Sequence, residues 1–251
     1  RVAKNPKLLI KVLEKAKPFD LITGPSGYGI EVTYLNEIKY KDLEDWYYNY
    51  VLLTDKDKIK KAMDRNVFGA FLYYAMAESV KEMKKRDWPV CFIPGVINLP
   101  TVPEYRKVNK IDMGTADKLA VSSLGVLNGL RNRDRSLDRI SFILIEMGFG
   151  YNSVIGVDRG RIVDGIGGTT INGPGFLSIS SMDAELVQMV GDWSKEDVFV
   201  GGGSSISGVD SPEDLVACVG KERSCSIAYN AMLEGGELCF HIFLSLIHLK
   251  L

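Results

Sequence analysis

The chain has 251 residues, of which 46% are hydrophobic and 25% charged, and its formal net charge is −1. That length holds one large or two moderate domains, and the near-neutral balance gives no electrostatic case for nucleic acid or a membrane surface. No apolar run approaches the roughly 20 residues that span a bilayer, so a cytoplasmic protein is expected.

Arg1–Asp20 reads as an amphipathic helix followed by a strand start, not as a signal peptide. The chain begins without methionine and stops at Leu251 inside an apolar pattern, which reads as part of a longer protein. The first helix covers Lys4–Lys17, with Leu8, Leu9, Val12 and Leu13 at helical spacing and Pro18 ending it. Phe19–Thr23 is a short apolar run with the character of a buried strand. It leads into Gly24-Pro25-Ser26-Gly27-Tyr28-Gly29, and a strand ending in a glycine-rich loop is where α/β proteins place ligands. A plain connecting loop explains these residues equally well, so Pro25, Ser26 and Gly27 stand as substrate-binding candidates beside that reading.

Tyr34–Tyr50 reads as a partly exposed helix or a flap, and Asp55–Arg65 as a charged helix. Val67–Lys85 has a strong helical pattern with lysines closing its last turn. Val90–Pro94 is another buried-strand candidate, and the prolines at 94, 100 and 103 make Gly95–Lys107 an irregular loop. Asp112 or Thr115 would cap a helix over Ala116–Leu130. Capping alone does not explain why Asp112, Thr115, Asp117 and Lys118 crowd one short segment. A carboxylate and hydroxyl aimed into a cleft is the preferred reading. Arg131–Arg139 is a charged break and the best boundary between two halves, giving domains of 1–136 and 137–251.

Ser141–Met147, Ser153–Val157 and Arg161–Ile166 read as three strands joined by Gly148–Asn152 and Asp158-Arg159-Gly160, both of which carry hairpin-turn residues. A glycine-rich stretch, Gly165–Gly175, follows. Glycine lets a backbone approach a ligand closely and exposes its N–H groups, so the stretch reads as a phosphate- or anion-binding scaffold. Glu146 within the first strand is either a metal or water ligand or a solvent-facing edge residue. Further on, Met182–Val190 is a short helix, and Asp197–Val200 a strand ending in a third glycine loop, Gly201–Ser205. Ser211-Pro212-Glu213-Asp214 starts a helix. Arg223–Glu234 is helical, breaks at Gly235-Gly236, and resumes as an apolar helix to Leu251.

None of the glycine loops is a Walker A loop or a convincing dinucleotide fingerprint, and the strand meander argues against a dehydrogenase. No lysine lies in these loops, so a bound nucleotide would call for Mg²⁺. Cys218 and Cys225 are seven apart, or two helical turns. With Cys91 and Cys239 they read as buried free thiols. The two histidines fall on the apolar C-terminal pattern, which gives neither a His-rich metal site nor a Ser-His-Asp arrangement.

The run from Glu146 to Asp164, EMGFGYNSVIGVDRGRIVD, resembles the second phosphate motif of the acetate and sugar kinase, heat-shock chaperone and actin superfamily. In that motif a strand ends in a glycine turn, a hairpin returns, and a GG…GP segment follows; Gly165–Gly175 stands in the last place. More narrowly, the chain is similar to an archaeal family of uncharacterised proteins labelled predicted butyrate kinases, over Phe19–Gly29 and Asn109–Gly236.

The resemblance implies an α/β protein of two ribonuclease-H-like, actin-like ATPase lobes facing a cleft with ATP and Mg²⁺. It would phosphorylate a short-chain carboxylate such as butyrate, or a hydroxyl, with a homodimer as the suggested assembly. Gly148, Gly150, Asn152, Ser153, Gly167, Gly168 and Thr169 would face the nucleotide, joined by Gly201, Gly202 and Gly203. Asp112 and Glu146 would be the catalytic or Mg²⁺-linked carboxylates, with Thr115, Asp117 and Lys118 on the substrate side. The superfamily's N-terminal D-x-G-T hairpin has no counterpart here. Asp112-Met113-Gly114-Thr115 has the letters but precedes a helix, so the two are not equated. A non-catalytic nucleotide-binding or regulatory module is the alternative.

Overall fold

A computed structural model describes residues 5–133 and 136–248. Lys4, at the start of the first expected helix, Asp134 and Arg135 of the charged break, and the last residues of the C-terminal pattern, Leu249–Leu251, lie outside the described residues. The chain packs as two compact units, Arg1–Pro94 with Ser194–Asp197, and Gly95–Trp193 with Val198–Leu251.

The first unit opens with helix α1 (Lys7–Glu14) and strand β1 (Ile22–Thr23), then β2 (Thr33–Tyr34) and α2 (Leu43–Trp46), which runs into one π turn at Tyr47–Val51. It continues through α3 (Lys56–Asp64), α4 (Phe68–Lys85) and β3 (Val90–Phe92). The Asp55 carboxylate caps α3 by accepting from the Lys58 N–H at 2.8 Å. The sheet order is β1-β3-β2, with β1 parallel and β2 antiparallel to β3. Where a partly exposed helix or flap was expected, Tyr47 and Tyr48 are buried. The Tyr47 ring packs against Trp46 and Phe92, and its hydroxyl donates to the Pro25 carbonyl, so the polar tip has a partner inside the core.

The second unit holds α5 (Glu104–Lys107), α6 (Ala116–Arg133) and the meander β4 (Phe142–Met147), β5 (Asn152–Asp158) and β6 (Arg161–Gly167). These are followed by α7 (Ala184–Val190), α8 (Gly203–Ser207), α9 (Pro212–Cys218) and α10 (Arg223–His248). The meander is antiparallel throughout in the order β4-β5-β6, as the turn residues predict, with a register shift at Gly156/Val157. One face packs Ile155, Val157, Ile162 and Leu144 against Val96, Met113 and the α6 residues Leu119 and Val126. The other face packs Val154, Ile143 and Ile166 against Cys239 and Phe243 of α10. With apolar residues on both faces, the hairpin is held as a middle layer.

Four expectations are corrected. Asp197–Val200 is not a strand: Lys195–Phe199 is a 3₁₀ turn. Its Asp197 carboxylate accepts from the Ser194 N–H and hydroxyl, both at 2.7 Å, and pairs with Arg65 at 2.8 Å, which curls the backbone. The Gly201–Ser205 segment is not a loop after a strand; it enters α8, with the Gly203 N–H donating to the Gly175 carbonyl at 2.9 Å. The expected break at Gly235-Gly236 is absent, and α10 runs through both glycines. A Cβ at 235 would collide with the Asn172 carbonyl, so this glycine permits a close approach without ending the helix. Finally, Cys218 and Cys225 form a disulfide, because Gly220 at φ +79° turns the chain between α9 and α10 and brings the two thiols together. Cys91 and Cys239 are buried free thiols as expected.

Candidate functional site

The site is built on the second unit from three pieces: the β4–β5 turn, the start of α6, and the Gly167–Thr170 turn after β6. Register pairs Glu146 with Ser153, and Ser153 with Gly167. Cross-strand partners project to the same face, so these three form one row across the sheet. It is the face that α6 covers.

Lys118, in the first turn of α6, reaches that row. Its ammonium lies 2.5 Å from Glu146 Oε2 and 3.0 Å from Asp117 Oδ2, with the lysine itself only 6% exposed. Gly148 makes room for it: a Cβ there would stand 2.9 Å from Nζ and 2.8 Å from the Tyr151 carbonyl. Burial works against the ammonium, but the charges of Asp117 and Glu146 outweigh it and hold the lysine pKa above its usual value. For Asp117, burial pulls upward and Lys118, with the Thr115 hydroxyl, pulls further down, leaving the carboxyl below its usual range. The Thr115 hydroxyl donates to Asp117, and the Thr115 carbonyl accepts the first N–H groups of α6.

Asp112 is buried, and its Oδ1 accepts from the Gly114 N–H at 2.7 Å. Its Oδ2 fills the space where a side chain at Gly168 would begin, and Gly168 has φ +59°. Asp112 and the Gly167–Thr170 turn are therefore fitted to each other. Gly167 approaches the Gly114 backbone, where a Cβ would meet N at 3.1 Å. Thr169 is half-buried in the turn, while its neighbour Thr170 makes the local bond, its hydroxyl donating to the Gly167 carbonyl at 2.7 Å.

Asn152 and Ser153 open β5 and are both buried. Asn152 Nδ2 donates to the Pro174 carbonyl at 3.2 Å, whereas Asn152 Oδ1 and Ser153 Oγ make no hydrogen bond. Buried polar atoms without a partner are uncommon and mark a place that a ligand or ordered water completes. Gly150 differs from Gly148, Gly167 and Gly168, since nothing lies within 4 Å of a Cβ placed there. Its carbonyl accepts from the Ser178 N–H at 3.1 Å, and Gly175 links that loop to Gly203. Gly201, Gly202 and Gly203 are thus tied to the same turn through Gly175. This link runs entirely through backbone and was not visible in the spacing.

Pro25, Ser26 and Gly27 belong to the first unit. There the Ser26 hydroxyl donates to the Gly24 carbonyl at 2.9 Å and accepts from the Ile93 N–H at 3.0 Å. Gly27 sits at φ +53° against the Val51 carbonyl. The Ser26 bonds fasten the segments that follow β1 and β3, and Gly27 permits close approach to the π turn.

A cavity of about 560 Å³ borders the β4–β5 turn. Gly148 and Phe149 form one side, Leu215 and Val216 of α9 another, and Tyr229 and Met232 of α10 the third. The sequence offers none of its α9 or α10 wall residues as a site candidate; Pro212 and Glu213 are legible there only as a helix start. Among the described residues no group of three or more His, Cys, Asp or Glu side chains is arranged to hold a metal ion, and no helix is long and apolar enough to cross a membrane.

A family model matches residues 1–238. The chain belongs to the family described as "Protein of unknown function (DUF1464)". No curated protein matches. Among solved structures the chain is similar to acetate kinase from Entamoeba histolytica, with a TM-score of 0.60 and 13% identity. The match covers 98% of this chain and 66% of that one. At that identity the likeness shows the fold alone, a mixed α/β architecture like that of acetate kinase.

Proposed function

We propose that the protein binds ATP with Mg²⁺ and transfers a phosphoryl group to a small-molecule acceptor, for which a short-chain carboxylate such as butyrate is the first candidate. The observation that carries this reading is the ammonium of Lys118 held beside the Gly148 turn. A buried cation, an open glycine and two unpartnered buried polar atoms, Ser153 Oγ and Asn152 Oδ1, meet at one hairpin. The Lys118 ammonium, the Ser153 hydroxyl and the backbone N–H groups of the turn are donors that fit phosphate oxygens, while Asn152 Oδ1 can only accept and is suited to a bound water.

Phosphoryl transfer asks a protein chiefly for positioning and for charge to offset what develops on the transferred group. Lys118 supplies the charge. The Gly148–Tyr151 turn and Ser153 orient the phosphates, and Gly150 leaves the approach open. Mg²⁺ supplies further neutralisation when bound. Asp112 is the carboxylate suited to reach it, because Mg²⁺ takes only one or two carboxylates and completes its shell with phosphate and water. Glu146 has a different task in this reading. Its charge is balanced by Lys118, so it holds the ammonium in place.

The same pairing favours a second reading, a nucleotide-binding module without turnover, since a carboxylate committed to an ammonium is a poor base. Calorimetric titration with Mg·ATP, followed by phosphate-transfer assays over short-chain acids and sugars, separates the two. Binding with transfer supports the kinase, and stoichiometric binding without transfer supports the module. No binding by the wild-type chain, or unchanged affinity in Gly150→Val, removes both.

A further inference from the structure

We infer that the Cys218–Cys225 disulfide is a redox-sensitive clamp: a dithiol reductant that opens it releases α9 from α10 and takes down one wall of the cavity beside Gly148. Its regulatory meaning rests on the nucleotide reading above; the release of α9 does not.

Helix α9 has seven residues, a length at which a helix is not stable by itself in water. Its attachments are few. Leu215 is its one buried residue among those described, while Val216 is 60% exposed. Its start is capped locally, with Ser211 Oγ accepting from the Asp214 N–H at 3.1 Å and donating to its carboxylate at 2.7 Å, and neither bond reaches another element. Its end is covalently tied, since Cys218 is the last residue of α9 and Cys225 lies in the first turn of α10. Leu215 and the disulfide are thus the principal anchors.

The clamp and the cavity share material. Cys225 is fully buried in a cluster with Phe176, Leu215 and Met232, and these three also line the cavity. Loosening one disturbs the other.

The two sulfurs differ in access. Cys218 is half-buried and Cys225 is not exposed at all. A thiolate of the reductant therefore attacks Cys218 Sγ. The S–S bond breaks, and Cys225 leaves as a thiolate that takes up a proton. The second thiol of the reductant then attacks the mixed disulfide, releasing Cys218 as a thiol and leaving the reductant as its own disulfide. The same two electrons leave the dithiol and reduce the protein disulfide.

The test compares the whole chain, purified without reductant, before and after dithiothreitol. Hydrogen exchange is read over Pro212–Cys218 and over the cavity face of α10, with thiols counted in parallel. On reduction, free thiols should rise from two to four, and exchange in α9 should quicken about tenfold or more. Cys218→Ser/Cys225→Ser should match the reduced protein in either buffer. Exchange that is the same in both redox states, or four free thiols before any reductant is added, overturns the clamp. Mg·ATP titration of both states gives the regulatory arm. A fall in affinity of about tenfold on reduction supports gating of the site, and equal affinity with a released α9 overturns it. If neither state binds Mg·ATP, the nucleotide reading falls, and with it the gating, while the exchange result still decides the clamp.

Discussion

Lys118 Nζ stands 2.5 Å from Glu146 Oε2, joining the first turn of α6 to the edge strand β4 across 28 positions of sequence. The two residues belong to different predicted elements, and the ion pair gives each a reason to be where it is. With Lys118 side-chain exposure of 8% against 26% for Glu146, the pair is sheltered mainly at the ammonium end.

Removing the cation should therefore be costly. Lys118→Met leaves Glu146 without its counter-charge, and a loss of about 2 kcal/mol is expected, under the range for a fully buried pair because Glu146 keeps some solvent. Lys118→Met/Glu146→Leu should recover at least half of that loss in urea unfolding. It should not recover Mg·ATP affinity, since the ammonium is still missing. Recovery of both would make the pair purely structural.

The raised pKa of Lys118 has a definite sign. In the unfolded chain a lysine loses its proton near pH 10.4, while in the folded chain it holds it to higher pH. Its contribution is thus fully present below about pH 10.4 and is lost as pH rises through the folded value. Urea midpoints taken from pH 8 to 11.5 should converge for wild type and Lys118→Met at the alkaline end. A difference that stays constant over that range would show that the ion pair adds nothing.

Two glycines separate folding from ligand approach. Gly168 has φ +59° and the Asp112 carboxylate in its face, so Gly168→Ala should cost about 2 kcal/mol in stability. Gly150 has open space, so Gly150→Val should change stability by less than about 0.5 kcal/mol. Paired thermal melts and titrations test this. If Gly150→Val were as destabilised as Gly168→Ala, the turn would be doing structural service at both places.

Adjacent glycines in α10 should likewise part company. Gly236 has nothing within 4 Å of an added Cβ, so Gly236→Ala should stabilise by up to about 1 kcal/mol through helix propensity. Gly235→Ala must push the Asn172 carbonyl away and should destabilise by about 2 kcal/mol or more. Differential scanning calorimetry of the two variants gives the comparison, and melting points moving in the same direction would contradict it.

The meander was legible because its signals are local. Short apolar runs and φ-positive turn residues at Arg159 and Gly160 act within a few positions. What the sequence hid depends on distant partners. Gly235-Gly236 looked like a helix break, yet its meaning lies in a carbonyl 63 positions away, at Asn172. Asp197–Val200 has strand-forming residues, but the Asp197 carboxylate, bonded to Ser194 and Arg65, bends them into a 3₁₀ turn. Cys218 and Cys225 were counted as two turns of one helix, and a left-handed Gly220 divides them between two. At the site, Asp112, Glu146 and the turn glycines were singled out by residue type, and Lys118 was assigned to the substrate side. That a lysine outside the glycine loops enters one of them is a fact of packing, invisible to spacing.

The register Glu146–Ser153 and Met147–Asn152 fixes more than neighbours. In a strand pair, every residue's face is counted off from the turn, and a slip of one position sends each side chain to the opposite side. Deleting a single residue between Gly148 and Tyr151, with the turn keeping its shape, would thus draw Ile145 into the place of Glu146 and leave Lys118 facing an aliphatic side chain. The chemistry of this hairpin is written in the length of its turn as much as in the letters around it, and homologues that alter those letters freely should still keep the count.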